Sequence, residues 1–276
     1  VEVDLNVTNL ALYKDSDIEE PGYMITFFDG GASGTEHFIE HKLQKFEELL
    51  PIVRERLASD QPQVRSVYLT MLMHMPIKFG HKLVPHIPEL NEHALRGFGD
   101  QLLEVRNSAL QFGVQMVRSY FEQAEELLLP TIEKALWHQS ANTQEAALML
   151  LGYLLAQLAG ERELDLDPDE MQAADSAVCK VSAKDALKIT EALGEERHDH
   201  LLCSIYILKS SPETNVANMA GRVLRSVCAK VPEKIDSIFP KLMAMVLPMV
   251  MCSGTQAQQL ISSRCVGNLC TTNKML

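Results

Sequence analysis

Apolar positions along this chain repeat with the spacing of helices, not strands. From Val64, the residues Val67, Tyr68, Met71, Leu72 and Met75 follow at i+3, i+4, i+7, i+8 and i+11. Val105, Ala109, Phe112, Met116 and Tyr120 do much the same one segment later. A stripe this broad predicts helices that bury one face against neighbouring helices. Alternating, strand-like patterning is confined to Tyr23 to Phe28 (YMITFF), and no other stretch follows it.

The helical segments share one plan. Phe46-Glu-Glu-Leu-Leu-Pro51 leads through Val53 and Leu57 to Asp60, then Val64-Arg65 and an apolar helix. His81 to Leu95 carries Pro85 and Pro88 and is followed by Asp100, Val105-Arg106 and a second apolar helix. Leu127-Leu-Leu-Pro130 leads to Leu136, a short break, and Thr143 to Leu155. Val64 to Val105 is a step of 41 residues, and Val105 to Thr143 a step of 38. One further unit turns at Ser211-Pro212 into Val216 to Val227, and a last one is expected to begin at Phe239-Pro240. Two helices every ~40 residues is the signature of HEAT and armadillo arrays. The expectation is an all-α fold, a HEAT/armadillo-like α-solenoid of about five helix pairs, with a proline bending each first helix. Asp60 with Arg65, and Asp100 with Arg106, are expected to pair into a ladder tying the repeats together. Gln144 stands where the third unit needs its Arg, so the ladder is expected to break there.

Composition fits that picture and bounds it. Of 276 residues 46% are apolar but only 6% aromatic, with Leu, Ala, Met and Glu abundant, which favours helix over sheet. The net charge is −12, and Glu161 to Asp175 (ERELDLDPDEMQAAD) holds seven acids against one base. Such a run cannot bury itself and reads as a solvated insert. The chain therefore divides into an irregular segment (1–35), repeats (36–160), an acidic linker (161–182) and further repeats (183–276). Outside the linker the balance stays mildly acidic, which disfavours general nucleic-acid binding, and no DNA partner is expected. The longest apolar run, Phe239 to Cys252, carries Lys241 and two prolines and is too short to span a bilayer, so no membrane partner is expected. Six scattered cysteines without C-x-x-C pairs, and no secretory signal, predict reduced thiols and a cytoplasmic location. Val1 in place of an initiator Met predicts a piece of something longer.

Candidate chemistry is thin. His37-Phe-Ile-Glu40-His41 matches the inverted zinc-peptidase pattern, with two ligands and a general base on one helix face. That chemistry also needs a distant third ligand and a mixed α/β domain, while Lys42 to Pro51 already reads as a packing helix. Asp29 to Gly34 (DGGASG) lacks the Gly-Lys-Ser/Thr of a phosphate loop and reads as a connector. His198 and His200 cluster with acids in Glu195 to His200 but would diverge on a helix, so a charged helix start is the preferred reading. No nucleophile has an ordered base nearby in sequence. The Met-rich Leu242 to Met251 is read as helix core. No catalytic residue, metal or cofactor is expected.

Several strings carry a more particular likeness, in one order and spacing. They are Met75 to Gly80 (MPIKFG), Asp100 to Val117 (DQLLEVRNSALQFGVQMV), Leu127 to Leu136 (LLLPTIEKAL) and Leu150 to Gly160 (LLGYLLAQLAG). Leu193-Gly194 with Glu196-Arg197, Leu202 and Tyr206 follows, and Ser262 to Leu269 (SSRCVGNL) closes the series. Over roughly residues 40–272 the chain resembles the general control non-derepressible translational activators, very large HEAT-repeat proteins. The resemblance implies a non-enzymatic scaffold whose partners, in the full-length protein, are the ribosome and the starvation-responsive kinase of translation initiation factor two. It places this chain after the elongation-factor-three-like repeats and before the main kinase-docking segment, so no kinase-binding residue is assigned. Two other readings stand beside it: a generic HEAT adaptor of transport or phosphatase type, and a zinc peptidase built on His37, Glu40 and His41.

Overall fold

The computed structural model describes residues 36–160, 183–228 and 231–272 of the chain. Among these residues every regular element is helical and none is a strand. In chain order the α-helices are α1 (Glu36–Leu57), α2 (Pro62–Phe79), α3 (Ile87–Phe98), α4 (Leu103–Tyr120), α5 (Ala124–Leu127) and α6 (Leu129–Leu136). They continue as α7 (Ala141–Ala159), α8 (Ala183–Leu193), α9 (Glu195–Leu208), α10 (Thr214–Val227), α11 (Val231–Pro248) and α12 (Gln256–Thr272). The segments 1–35 and 161–182, with the strand-like, glycine-rich and acidic stretches read from the sequence, lie outside the described residues.

The helices pack as a solenoid. Within the units α1 lies on α2, α3 on α4, α6 on α7, and α9 on α10. Between units the second helices form a continuous layer, α2 on α4, α4 on α7, and α7 on α10. The last pair, α11 and α12, packs together and against α9. One apolar core runs unbroken from Phe46 to Leu269 because each pair exposes an apolar face that only its neighbour covers.

At the centre of that core is α7. Residues Ala146 to Gly160 hold no charged side chain; Leu148, Leu151, Leu154 and Leu155 are wholly buried on one face, and Leu150, Tyr153 and Ala156, on other sides, are buried too. Neighbours on all sides, α4, α6, α8 and α10, account for this burial. Its ends are well defined. The Ser140 hydroxyl accepts from the Thr143 amide at the start, and Gly160, at φ 92°, closes the helix in the left-handed conformation glycine tolerates. The Lys188 ammonium of α8 then donates to the Ala159 carbonyl at 3.1 Å, placing a cation at the negative helix end.

Two expectations about element boundaries differ from what the chain does. The first-helix proline is internal in α1 (Pro51) and in α11 (Pro240), whereas Pro88 and Pro130 sit in the opening turns of α3 and α6. A proline there gives up an amide that has no helical partner anyway, so the helix starts at it instead of bending. The last unit begins at Val231, with Pro240 inside α11.

Close approach of neighbouring helices depends on two glycines. A Cβ on Gly97 would lie 2.7 Å from the Ala109 Cβ, and one on Gly113 would lie 2.8 Å from Leu150 Cδ1. Gly267, by contrast, has open space where a Cβ would go. Gly97→Ala is therefore expected to destabilise the fold by about 1–3 kcal/mol through overpacking. Gly267→Ala should be neutral or stabilising by up to ~1 kcal/mol, because alanine is the better helix former. Urea unfolding of the three proteins checks both signs.

Candidate functional site

The polar groups that survive in this apolar stack mark where the repeats are joined. Arg65, in the first turn of α2, reaches the next unit: its Nε and Nη2 donate to Asp100 Oδ2 at 2.9 and 2.6 Å. The third nitrogen, Nη1, donates to the carbonyls of Ser59 and Asp60. Asp60 thus contributes its backbone rather than its carboxylate. Arg106 repeats the local part of this arrangement, with Nη1 donating to the carbonyls of Asp100 and Gln101. The structure brings Arg65 and Asp100 together across the repeat boundary, while Asp60 and Arg106 serve the turns of their own units. At the position of Asp100 the third unit carries His138, which offers Arg106 no carboxylate.

Past that point the junctions change chemistry. Glu145, beside Gln144 in α7, accepts a hydrogen bond from Asn215 of α10 and lies in the fields of Arg222 and Arg106. Burial pushes its carboxyl above the usual range, and the two guanidiniums and Asn215 pull it partly back. Buried Ser66 and Ser108 share a hydrogen bond at 3.0 Å between α2 and α4, and the Asn91 amide donates to the Leu127 carbonyl at 2.8 Å. The Tyr120 hydroxyl donates to the Gly80 carbonyl at 2.8 Å, and burial pushes its pKa up to about 12.

Two residues read from sequence as a charged helix start do more than that. Asp199 is only 4% exposed and accepts from Lys234 Nζ at 2.8 Å and Lys241 Nζ at 2.6 Å, both on α11. Burial alone would raise its pKa, but the two lysine hydrogen bonds outweigh burial and hold the carboxyl below its ordinary value. His198 is buried as well, with Nδ1 2.9 Å from the Thr190 hydroxyl. Burial first, and then the Lys234 charge, lower its pKa, so it is neutral at neutral pH. His200, one helical step away, is exposed, so the two histidines do diverge. A signal for this site existed: His198, Leu201, Leu202 and Ile205 form one i, i+3, i+4, i+7 stripe, and Lys234 and Lys241 are seven apart on one face.

A cavity of about 20 Å³ between α3, α4, α6 and α7, lined by Asn91, Phe98, Met116, Ile132 and Leu150, has room for one water molecule. Among the described residues no cluster of three or more His, Cys, Asp or Glu side chains could hold a metal ion. His37, Glu40 and His41 fall within α1 but outside the residues whose side chains are described. Cys203, Cys228 and Cys265 are buried, with burial as the leading cause that pushes each thiol up to about 11, away from nucleophilic thiolate character. No helix of the described residues is long and apolar enough to cross a membrane.

What remains as functional surface is the outside of the helix stack, which defines a repeat protein whose exposed ridges face its surroundings. Comparison with known proteins gives that class a more particular neighbourhood. The chain is 22% identical over 230 residues to the yeast (Saccharomyces cerevisiae) eIF-2-alpha kinase activator GCN1, covering 82% of this chain and 8% of that protein. It is 24% identical over 245 residues to the Dictyostelium discoideum protein of the same name, covering 87% and 9%. To the human stalled ribosome sensor GCN1 it is 28% identical over 234 residues, again 82% and 8%. The chain thus resembles one segment of these proteins and spans less than a tenth of their length. No protein-family model matches it. A designed armadillo repeat protein aligns over 80% of this chain and 99% of its own at 15% identity, with a TM-score of 0.31, too low to bear on the argument.

Thiol reactivity follows from the burial pattern. Exposed Cys270 is expected to react with a water-soluble disulfide reagent at pH 8 well before Cys203, Cys228 and Cys265, which should be modified only on unfolding. Mass mapping after a short exposure checks the order. The same thiols fix a sign in alkali. Their folded pKa of about 11 exceeds the 9.0 of an unburied thiol, so between these the unfolded chain loses protons first. Stability present below pH ~9 should therefore fall as pH rises toward 11. Replacing the three thiols by serine or alanine should flatten that slope in denaturant titrations.

Proposed function

We propose that this chain is a non-enzymatic HEAT-repeat scaffold segment in translational control. On this reading it belongs to an activator that links ribosomes to the kinase phosphorylating translation initiation factor two during amino-acid starvation. The observation that carries the reading is the likeness to eIF-2-alpha kinase activators and stalled ribosome sensors along four fifths of the chain. A continuous stack of helix pairs supports it physically, since such a stack presents long ridges able to span a large partner. In this reading the chain works in the cytoplasm, and the ribosome and the kinase are partners of the longer protein that carries it. The Arg65–Asp100 pair, with Asp60 and Arg106 bracing their turns, is the part of the repeat ladder that fixes the first two units against each other. The acidic stretch at 161–182 separates two runs of repeats.

A replacement experiment tests the assignment. Yeast whose activator carries this chain in place of the matching segment should phosphorylate initiation factor two on amino-acid starvation. Yeast with that segment deleted should show a several-fold weaker response. Equal responses from the deletion and the intact protein would refute a role for the segment. Failure of the chimera alone, with an intact ribosome-bound pool, would favour a generic adaptor.

A further inference from the structure

Residues 197 and 199 of α9 point to opposite sides of the helix, because two residues turn an α-helix by about 200°. Each carries a charge, and each is caught by a different neighbour. Arg197 reaches back across 64 residues of sequence to Glu133 of α6, with Nε to Oε1 and Nη2 to Oε2 both at 3.2 Å. Its Nη1 lies 3.3 Å from Glu125 of α5. Asp199 reaches forward to Lys234 and Lys241 of α11. The first turn of α9 thus makes charged contacts with the helix pairs on both sides of it, as α3 does through Glu89 to Arg54 of α1 and Glu92 to Lys134 of α6, but with a far more buried carboxylate.

The two contacts differ in depth. Arg197 and Glu133 are each about a quarter exposed, at 27% and 28%, and share a bidentate geometry. Asp199 is sealed, while its lysines run their stems over the surface, Lys234 at 33% and Lys241 at 50% exposure. A sealed carboxylate cannot be left without its cations, so α11 is bound to present both ammoniums at this point. The apolar seam beneath, including Leu202, Ile205, Ile235, Ile238 and Leu242, is non-directional and tolerates sliding. The ion contacts supply the direction. At the far end of the same interface the Asn268 amide of α12 donates to the buried Ser210 hydroxyl at 3.1 Å, a neutral bond.

We propose that the first turn of α9 is an electrostatic hinge, in which Asp199, clasped by Lys234 and Lys241, sets the position of the α11–α12 pair on the rest of the stack. Arg197, held by Glu133 and Glu125, anchors the hinge to the preceding units. Solenoid curvature at this junction then responds to ionic strength and to the charge of two lysines, whereas the uncharged core of α7 from Ala146 to Gly160 does not. The hinge rests on contacts within the chain and stands independently of the translational reading.

Hydrogen–deuterium exchange on the full 276-residue chain tests it. Asp199→Asn should speed exchange of α11 and α12 amides by tenfold or more, with α2 and α4 unchanged. The reversed-charge protein, Asp199→Lys with Lys234→Glu and Lys241→Glu, should recover at least part of that protection. In the unaltered chain, raising NaCl from 50 mM to 1 M should speed the same amides severalfold and leave the uncharged stretch of α7 from Ala146 to Gly160 alone, since the half-exposed lysines are screened. Unchanged α11–α12 exchange in the Asp199→Asn protein overturns the proposal, as does acceleration spread evenly over all helices. If Asp199→Asn does not fold, the salt series decides alone, and a flat or uniform response there overturns the hinge.

Discussion

The stack stands on the burial of α7. A helix with an uncharged surface from Ala146 to Gly160 has no face that water can accept, so four neighbours must cover it at once. That demand orients α4 and α10 on its flanks, α6 against its back and α8 near its C-terminal end. Each of those helices has a second face of its own, and covering that face recruits α2, α3 and α9 in turn. No helix pair in the chain closes a core by itself, which is why the apolar cluster is one body and not five.

Glycine sets how tightly this can be done. At Gly97 and Gly113 helix backbones approach until a methyl group would not fit. Elsewhere the spacing is set by side chains, and the contacts between α7 and α10 show the transition: a Cβ on Gly152 would meet Val223 at 3.1 Å, tight but able to yield by a small shift. The buried hydroxyl pair Ser66 and Ser108 belongs to the same economy of space, since two small polar groups that satisfy each other fit where larger apolar ones would not.

Much of this architecture was legible in the sequence because helical period and repeat spacing are local properties. The stripes on α2 and α4, the 41- and 38-residue steps and the Leu-Leu-Pro openings each need only a short window to be seen. Boundaries were less legible. Pro240 reads as a helix start, yet it sits inside α11, because proline signals a break whether or not tertiary packing overrides it. Partners were the least legible. The spacing of Asp60 to Arg65 and Asp100 to Arg106 paired residues within one turn, but the carboxylate that Arg65 meets lies 35 residues on. A string such as Glu195 to His200 reads as solvated because its composition is charged. Nothing within it reveals that α11 will arrive with two lysines to cover Asp199.

The junction chemistry drifts along the chain, and the drift has a physical order. Between the first two units the rung is an arginine and a carboxylate at the mouth of the second helices, doubled by hydrogen bonds to the turn. One unit later Gln144 and His138 have replaced the charged pair, and the acceptor moves one residue to Glu145, half-buried between Arg106 and Arg222. After the acidic insert the ion pairs lie on the first helices, at Arg197 and Asp199, as Arg54 with Glu89 and Glu92 with Lys134 already do among α1, α3 and α6. Most pairs between first helices are well exposed, where charge is screened and side chains move, whereas Asp199 is sealed and keeps its lysines in place. Both halves of the chain thus share one apolar core, and charge only sets the register of helix pairs already packed on it, most deeply at Asp199.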